Sequence, residues 1–156
     1  YRLPLTGLRF FTVYGPWGRP DMAPILFTRS ILAGEPIAVF NHGEMSRDFT
    51  YIDDIVAGVL ACLDRPPPAD GAAAPHRLYN LGNHRPERLM DFIAALERAL
   101  GRKAKLDLQP MQPGDVKATY ADIAASRADF GFDPVTSIDE GIPRFIAWYK
   151  RFYGAG

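Results

Sequence analysis

A chain of 156 residues suffices for one domain or a large part of one, and its 47% hydrophobic and 23% charged content is that of an ordinary soluble globular sequence. Eighteen Lys and Arg balance eighteen Asp and Glu, which excludes a broad electrostatic pull on nucleic acid or a membrane surface and leaves any phosphate site to a few placed residues. The single cysteine, Cys62, excludes an internal disulfide and fits a reducing compartment, and no apolar run approaches the ~20 residues of a membrane-spanning helix.

Taken in chain order, residues 7–14 (GLRFFTVY) are rich in aromatic and β-branched side chains and stop at Gly15-Pro16, the pattern of a buried strand ended by a turn. A Gly- and Pro-rich loop over 15–20 leads to a predicted helix over 22–33, with Ile25, Leu26 and Leu32 inward and Gly34 as its stop. A short strand over 37–40, a turn at Asn41-His42-Gly43 and a strand over 49–52 follow. Asp53 is the expected N-cap of the next helix, which carries Ile55, Val56, Val59, Leu60 and Leu63 at helical spacing. Cys62, beside that face, reads as a small buried apolar residue. Residues 65–75, with Pro66-Pro67-Pro68 and Ala72-Ala73-Ala74, read as an exposed flexible loop within the domain.

Residues 78–82 read as a strand ending in glycine. Pro86 suits the first turn of a helix, whose Leu89, Phe92, Ile93, Leu96 and Leu100 make one apolar packing stripe closed by Gly101. A short strand over 105–108, a loop over 112–115 and a short helix over about 122–130 come next. The last helix opens on the capping box Ser137-Ile138-Asp139-Glu140, with Ile138, Ile142, Phe145, Ile146 and Tyr149 inward. The sum is mixed α/β, without a repeat of fixed period, and with strands too few and too short to close a sheet of their own.

Candidates for chemistry are modest by residue type alone. The loop Gly15-Pro16-Trp17-Gly18-Arg19-Pro20 follows a strand, where ligands of open α/β sheets bind. It is not a dinucleotide fingerprint, because it lacks G-x-G-x-x-G and Pro16 removes an amide. Trp17 is open to two roles, a stacking surface for a ligand or a structural ring. Arg19, between a glycine and a proline, suits planar recognition of a carboxylate or phosphate, or is a plain surface arginine. Arg47 is either a phosphate clamp or the salt-bridge partner of Asp48. Asp53-Asp54 is explained without acid–base work by an N-cap and an exposed carboxylate. His42, His76 and His84 have no metal-ligand spacing.

The segments GLRFFTVYGPWGRPDMA (7–23) and RDFTYIDDIV (47–56) resemble the extended short-chain dehydrogenase/reductase superfamily of NAD-dependent epimerases and dehydratases, and are most similar to its UDP-glucuronate 4-epimerases. Tyr79-Asn80-Leu81-Gly82 and Gln112-Pro113-Gly114-Asp115 stand in the order that family shows, so the resemblance covers essentially the whole chain but only about the second half of a family member. It implies that the backbones of Phe10 and Val13 meet the nicotinamide amide of NAD, and that Thr12 contacts the sugar. It further implies that Arg19 binds the uronate carboxylate, that Ala38 and Phe40 flank uracil, that Arg47 clamps the diphosphate and that Asp115 bonds the ribose hydroxyls. Gln112 stands where related galactose epimerases carry a phosphate-binding arginine, a departure that weakens a phosphate role there.

The family's proton-transfer pair, Tyr-x-x-x-Lys, is not found: none of the seven tyrosines has a lysine four residues on. An opening on Tyr1-Arg2-Leu3-Pro4 with no initiator methionine or signal peptide suggests a cut inside a longer protein. The expected fold is therefore the C-terminal part of an extended short-chain dehydrogenase/reductase, with residues 1–20 and about 77–83 supplying the last Rossmann strands beside a small mixed α/β substrate-binding domain. The expected activity is UDP-glucuronate 4-epimerisation in the cytoplasm by a longer, homodimeric enzyme. In it NAD is held mainly by the N-terminal half, and this chain alone is inactive and prone to self-association. The alternatives are another NAD-dependent nucleotide-sugar epimerase, dehydratase or decarboxylase, and a non-catalytic nucleotide-sugar-binding fragment. Nucleic acid, membrane and metal are not expected partners.

Overall fold

A computed structural model describes residues 3–68 and 74–155, so residues 69–73 of the Pro/Ala loop, the first two positions and the last lie outside the described residues. Eight short strands and five helices alternate: β1 (Leu5–Phe10), β2 (Thr12–Tyr14), α1 (Ala23–Ala33), β3 (Pro36–Val39), β4 (Ser46–Arg47), β5 (Phe49–Tyr51), α2 (Ile52–Leu63), β6 (His76–Leu81), β7 (Glu87–Arg88), α3 (Leu89–Leu100), β8 (Lys105–Leu108), α4 (Ala124–Phe130) and α5 (Ile138–Tyr153). The strands form four separate pairs. β1–β6, β2–β5 and β3–β8 are parallel, and β4–β7 is antiparallel.

The single buried strand expected over 7–14 is in fact two. The Phe11 amide donates to Leu81 O at 3.3 Å and the Thr12 amide to Asp48 O at 3.1 Å, so the chain changes partner at this point. The Val13 amide closes a tight turn on Phe11 O at 2.9 Å. β1 is also less buried than expected, with Leu5 and Phe10 more than half exposed. Tyr14, at the end of β2, is buried: its ring meets Tyr51, Phe49 and Phe92 edge-on, and its hydroxyl donates to Ser137 O at 3.3 Å. Gly141 of α5 is glycine because a Cβ there would strike that hydroxyl.

A larger core gathers α1, β2, β3, β5, α3 and α5, and a smaller one gathers α2, β6 and α4. All five residues expected on the inner face of α3 are buried, as are all five expected on α5, which starts with the Ser137–Glu140 capping box. α1 buries Ile25 as expected, but its other inner residues are Pro24, Phe27, Thr28 and Ile31; Leu26 and Leu32 are only half-buried. Phe40 leaves β3 for a short 3-10 turn, Phe40–Gly43, with Asn41 and His42 in the left-handed region. Pro86 precedes β7 rather than opening α3, because Glu87 pairs with Arg47 across β4–β7.

α2 departs most from expectation. Tyr51, not Asp53, is its N-cap; Asp53 is exposed, while Asp54 Oδ2 accepts the Thr136 amide at 3.0 Å. The buried residues of α2 are Ile55, Gly58 and Cys62, whereas Val56, Val59, Leu60 and Leu63 stand exposed, Leu63 at 74%. The apolar stripe exists, but four of its five residues have no cover among the described residues. Among them, too, no helix is long and apolar enough to cross a membrane.

Candidate functional site

Two cavities share Met22 as a wall. The larger, about 670 Å³, takes its lining from β2, α1, β3, the β4–β5 region and the loop over 112–115. Of the sequence-derived candidates it brings together Thr12, Ala38, Phe40, Arg47 and Asp115, and Gln112 joins them. The smaller, about 380 Å³, holds Phe10, Val13 and Arg19 with the rest of the 15–19 loop. Strand alternation explains the division: Thr12 opens on the large cavity and Val13, one residue on, on the small one. The same alternation in β3 buries Ile37 and Val39 and turns Ala38 outward to the cavity.

Arg47 does not pair with Asp48. Its Nη2 donates to Asp115 Oδ1 at 2.8 Å and its Nη1 to Ser46 O at 2.9 Å, with the side chain only 17% exposed. A guanidinium has five N–H groups, so donors remain for a ligand. Asp115 Oδ1 also accepts the Val116 amide at 2.8 Å, while Oδ2 has no partner among the described residues. Asp48 is fully buried and accepts the amides of Asn83, His84 and Ala121 and the Thr50 hydroxyl. Residue order alone did not reveal this staple, because three of its four donors lie 35 or more residues away.

Arg19 sits at the rim of the small cavity, where its Nε donates to Asp21 Oδ1 at 3.1 Å and its Nη2 to Asp21 Oδ2. That bond holds the Asp21 carboxyl below the usual carboxylate range. Both side chains are largely exposed, so the pair contributes little stability and yields readily to a better carboxylate. Trp17 has a left-handed backbone (φ 63°), a conformation that costs a bulky residue about 1–3 kcal/mol unless its surroundings impose it. Its ring meets Phe152 and Trp148 of α5, which favours the structural role of the two left open by sequence.

Sequence reading missed Asp21, Arg29 and Ser30 as polar walls of the large cavity. Leu26, Arg29 and Ser30 follow i, i+3, i+4 spacing, so a half-polar face of α1 opposite Phe27 and Ile31 was the available signal. Tyr14, Tyr51 and Tyr149 have phenols pushed up by burial, and Tyr79 is pushed up to about 12 by its hydrogen bond to Asp129. Those shifts run opposite to what a proton-abstracting phenolate needs.

The sequence pattern described as the NAD dependent epimerase/dehydratase family matches residues 1–82. UDP-glucuronate 4-epimerase 2 of Arabidopsis thaliana is 48% identical to the chain over 166 residues, covering 100% of this chain and 38% of the plant protein. Protein CapI of Staphylococcus aureus is 46% identical over 164 residues, covering 98% of this chain and 49% of that protein. Among solved structures, the UDP-glucuronic acid 4-epimerase from Bacillus cereus in complex with UDP-glucuronic acid and NAD superposes with a TM-score of 0.84 at 32% identity, over 97% of this chain and 46% of the other. The chain thus spans half or less of the length of these relatives.

Proposed function

The chain belongs to the NAD dependent epimerase/dehydratase family, and from that premise we propose that it is the C-terminal, substrate-binding half of an enzyme that interconverts UDP-glucuronate and its 4-epimer. One observation carries this reading: two neighbouring cavities that share Met22 each have cations in the wall, Arg47 with Arg29 in the nucleotide-sized one and Arg19 at the rim of the other. The spacing of charges in a nucleoside diphosphate uronate matches that order, diphosphate first and carboxylate at the far end of the sugar.

In this reading Arg47 holds the diphosphate through its remaining N–H groups. The free Asp115 Oδ2 accepts the ribose hydroxyls, and Phe40 and Ala38 flank uracil. Thr12, on the large cavity, contacts the sugar, and Arg19 exchanges Asp21 for the uronate carboxylate. Phe10 and Val13 give the small cavity an apolar wall suited to a nicotinamide ring; since the Val13 amide is already engaged on Phe11 O, its side chain or carbonyl is what it offers. When bound, NAD would supply reversible hydride transfer at sugar C4. The chain has no G-x-G-x-x-G loop for the NAD phosphates, and no tyrosine here precedes a lysine by four, so this reading assigns both to an N-terminal half.

The uncovered surface fits that division. β1 and β6 would be the last strands of a longer parallel sheet, and such a sheet would cover Leu5, Leu78 and the outer stripe of α2. In the chain alone, the same uncovered surface is the physical ground for expecting self-association, whereas the homodimer is expected of the full-length protein. The test is to assay full-length protein and chain side by side. Full-length protein with NAD should convert UDP-glucuronate to UDP-galacturonate, while the chain alone should neither turn over nor bind NAD in calorimetry. Conversion of UDP-glucose but not UDP-glucuronate would overturn the uronate assignment, and micromolar NAD binding by the chain would overturn the division of labour.

Arg47→Ala tests the nucleotide end. Charge-assisted hydrogen bonds to a phosphate contribute about 1.5–3 kcal/mol each, so affinity for free UDP should fall about tenfold or more in titration calorimetry. Unchanged affinity in a folded variant would reduce Arg47 to the partner of Asp115.

A further inference from the structure

We propose that Trp17 is a positioning residue: seated on Trp148 and Phe152 of α5, it holds the 15–20 loop so that Arg19 meets the sugar carboxylate. The proposal rests on the role given to Arg19 above and adds a determinant outside the cavities, the last turns of α5.

The loop has few other ties. The Gly18 amide bonds Gly15 O at 3.3 Å and the Met22 amide bonds Arg19 O at 3.2 Å, both local turns. The Arg19 side chain bonds only Asp21, two residues away, among the described residues. Gly15 adopts φ 134°, beside Ile52, which no L side chain favours. This fixes where the loop starts, not where Arg19 ends.

Among the described residues, the loop beyond Gly15 makes its long-range aromatic contact through the Trp17 ring. Its centroid lies 4.9 Å from Phe152 at 74° and 5.6 Å from Trp148 at 58°. Trp148 stacks on Phe152 at 5.2 Å and on the fully buried Phe145 at 6.1 Å. A chain of rings thus runs from the main core out to the loop.

Trp17 is nevertheless 75% exposed, so burial does not account for its place. A large aromatic held in left-handed backbone at the lip of a cavity indicates a conformation imposed for what lies next to it. Arg19, two residues on, is that neighbour. A guanidinium displaced by about an ångström loses bidentate geometry, and misplacement of that size costs up to ~10²-fold in rate.

The experiment uses the full-length protein and four variants, Trp17→Ala, Trp17→Phe, Phe152→Ala and Arg19→Met, with thermal unfolding to confirm that each is folded. Trp17→Ala should raise KM for UDP-glucuronate about tenfold, with affinity for free UDP unchanged. Phe152→Ala should reproduce the direction of that change although Phe152 lines neither cavity, and Trp17→Phe should retain most of the wild-type value. In the Arg19→Met background, adding Trp17→Ala should change KM less than about twofold. A silent Phe152→Ala, an undiminished tenfold effect in the Arg19→Met background, or a parallel loss of UDP affinity would each overturn the positioning role. Arg19→Met without effect on uronate kinetics would overturn the Arg19 assignment itself and the proposal with it. A large Arg19→Met effect with silent Trp17 and Phe152 variants would overturn the proposal alone.

Discussion

Arg19→Met, in the full-length enzyme, is expected to lower kcat/KM for UDP-glucuronate at least ~10²-fold, about 2.7 kcal/mol of transition-state stabilisation, while leaving affinity for free UDP nearly unchanged. A glucuronate carboxylate replaces the hydroxymethyl group of glucose on the same ring whose C4 reacts, so its partner must lie at the reacting end of the site. The proposed reading places Arg19 there: it lines the small cavity with Phe10 and Val13, while Arg47 lines the large one. Its bond to Asp21 shows that the side chain accepts a carboxylate through both Nε and Nη2, the bidentate mode that a lysine cannot offer. Exposure of that pair keeps the exchange for a substrate carboxylate from costing much. Methionine retains much of the apolar stem and removes the charge, so the variant isolates the electrostatic contribution. The paired measurement is epimerisation of UDP-glucuronate and binding of UDP. Surviving turnover, or UDP binding that collapses with it, would leave Arg19 without the carboxylate role.

Asp48→Ala is expected to destabilise the fold by about 3 kcal/mol or more, a large share of the 5–15 kcal/mol that a domain of this kind holds. The carboxylate is fully buried and serves three backbone amides, those of Asn83, His84 and Ala121, as well as the Thr50 hydroxyl. Alanine leaves those donors in a core without acceptors, at ~1–3 kcal/mol for each unsatisfied group. Asp48→Asn keeps the shape but turns one acceptor into a donor facing other donors, so it should also lose stability. Urea unfolding reads the effect as a lowered midpoint with unchanged slope. The staple joins β5 to the segments after β6 and before α4, and its neighbour Arg47 lines the large cavity. UDP affinity should therefore weaken in the same variant before the fold is lost. An unfolding free energy within ~0.5 kcal/mol of wild type, the range of a neutral surface change, would show that water or a backbone shift satisfies the amides instead.

Near-neighbour pattern was enough for α3 and α5. Leu89, Phe92, Ile93, Leu96 and Leu100 repeat at helical spacing, and Ser137 and Glu140 satisfy each other's amides three residues apart, so each element's identity and inner face lie within its own few turns. Motif resemblance likewise led to Thr12, Ala38, Phe40, Arg47 and Asp115, and the fold brings these five to one cavity. Tertiary structure alone decided three other matters. It divided residues 5–14 between two partners at Phe11, because strand propensity does not say which strand lies alongside. It turned Val56, Val59, Leu60 and Leu63 outward, because apolar periodicity says that a face is to be covered, not by what. It gave Arg47 to Asp115, 68 residues away, and left the adjacent Asp48 to backbone amides. Arg47 ends β4 and Asp48 is the residue that links it to β5, where the chain passes from one strand pair to another, so the two adjacent residues meet different surroundings, one a cavity wall and the other a core.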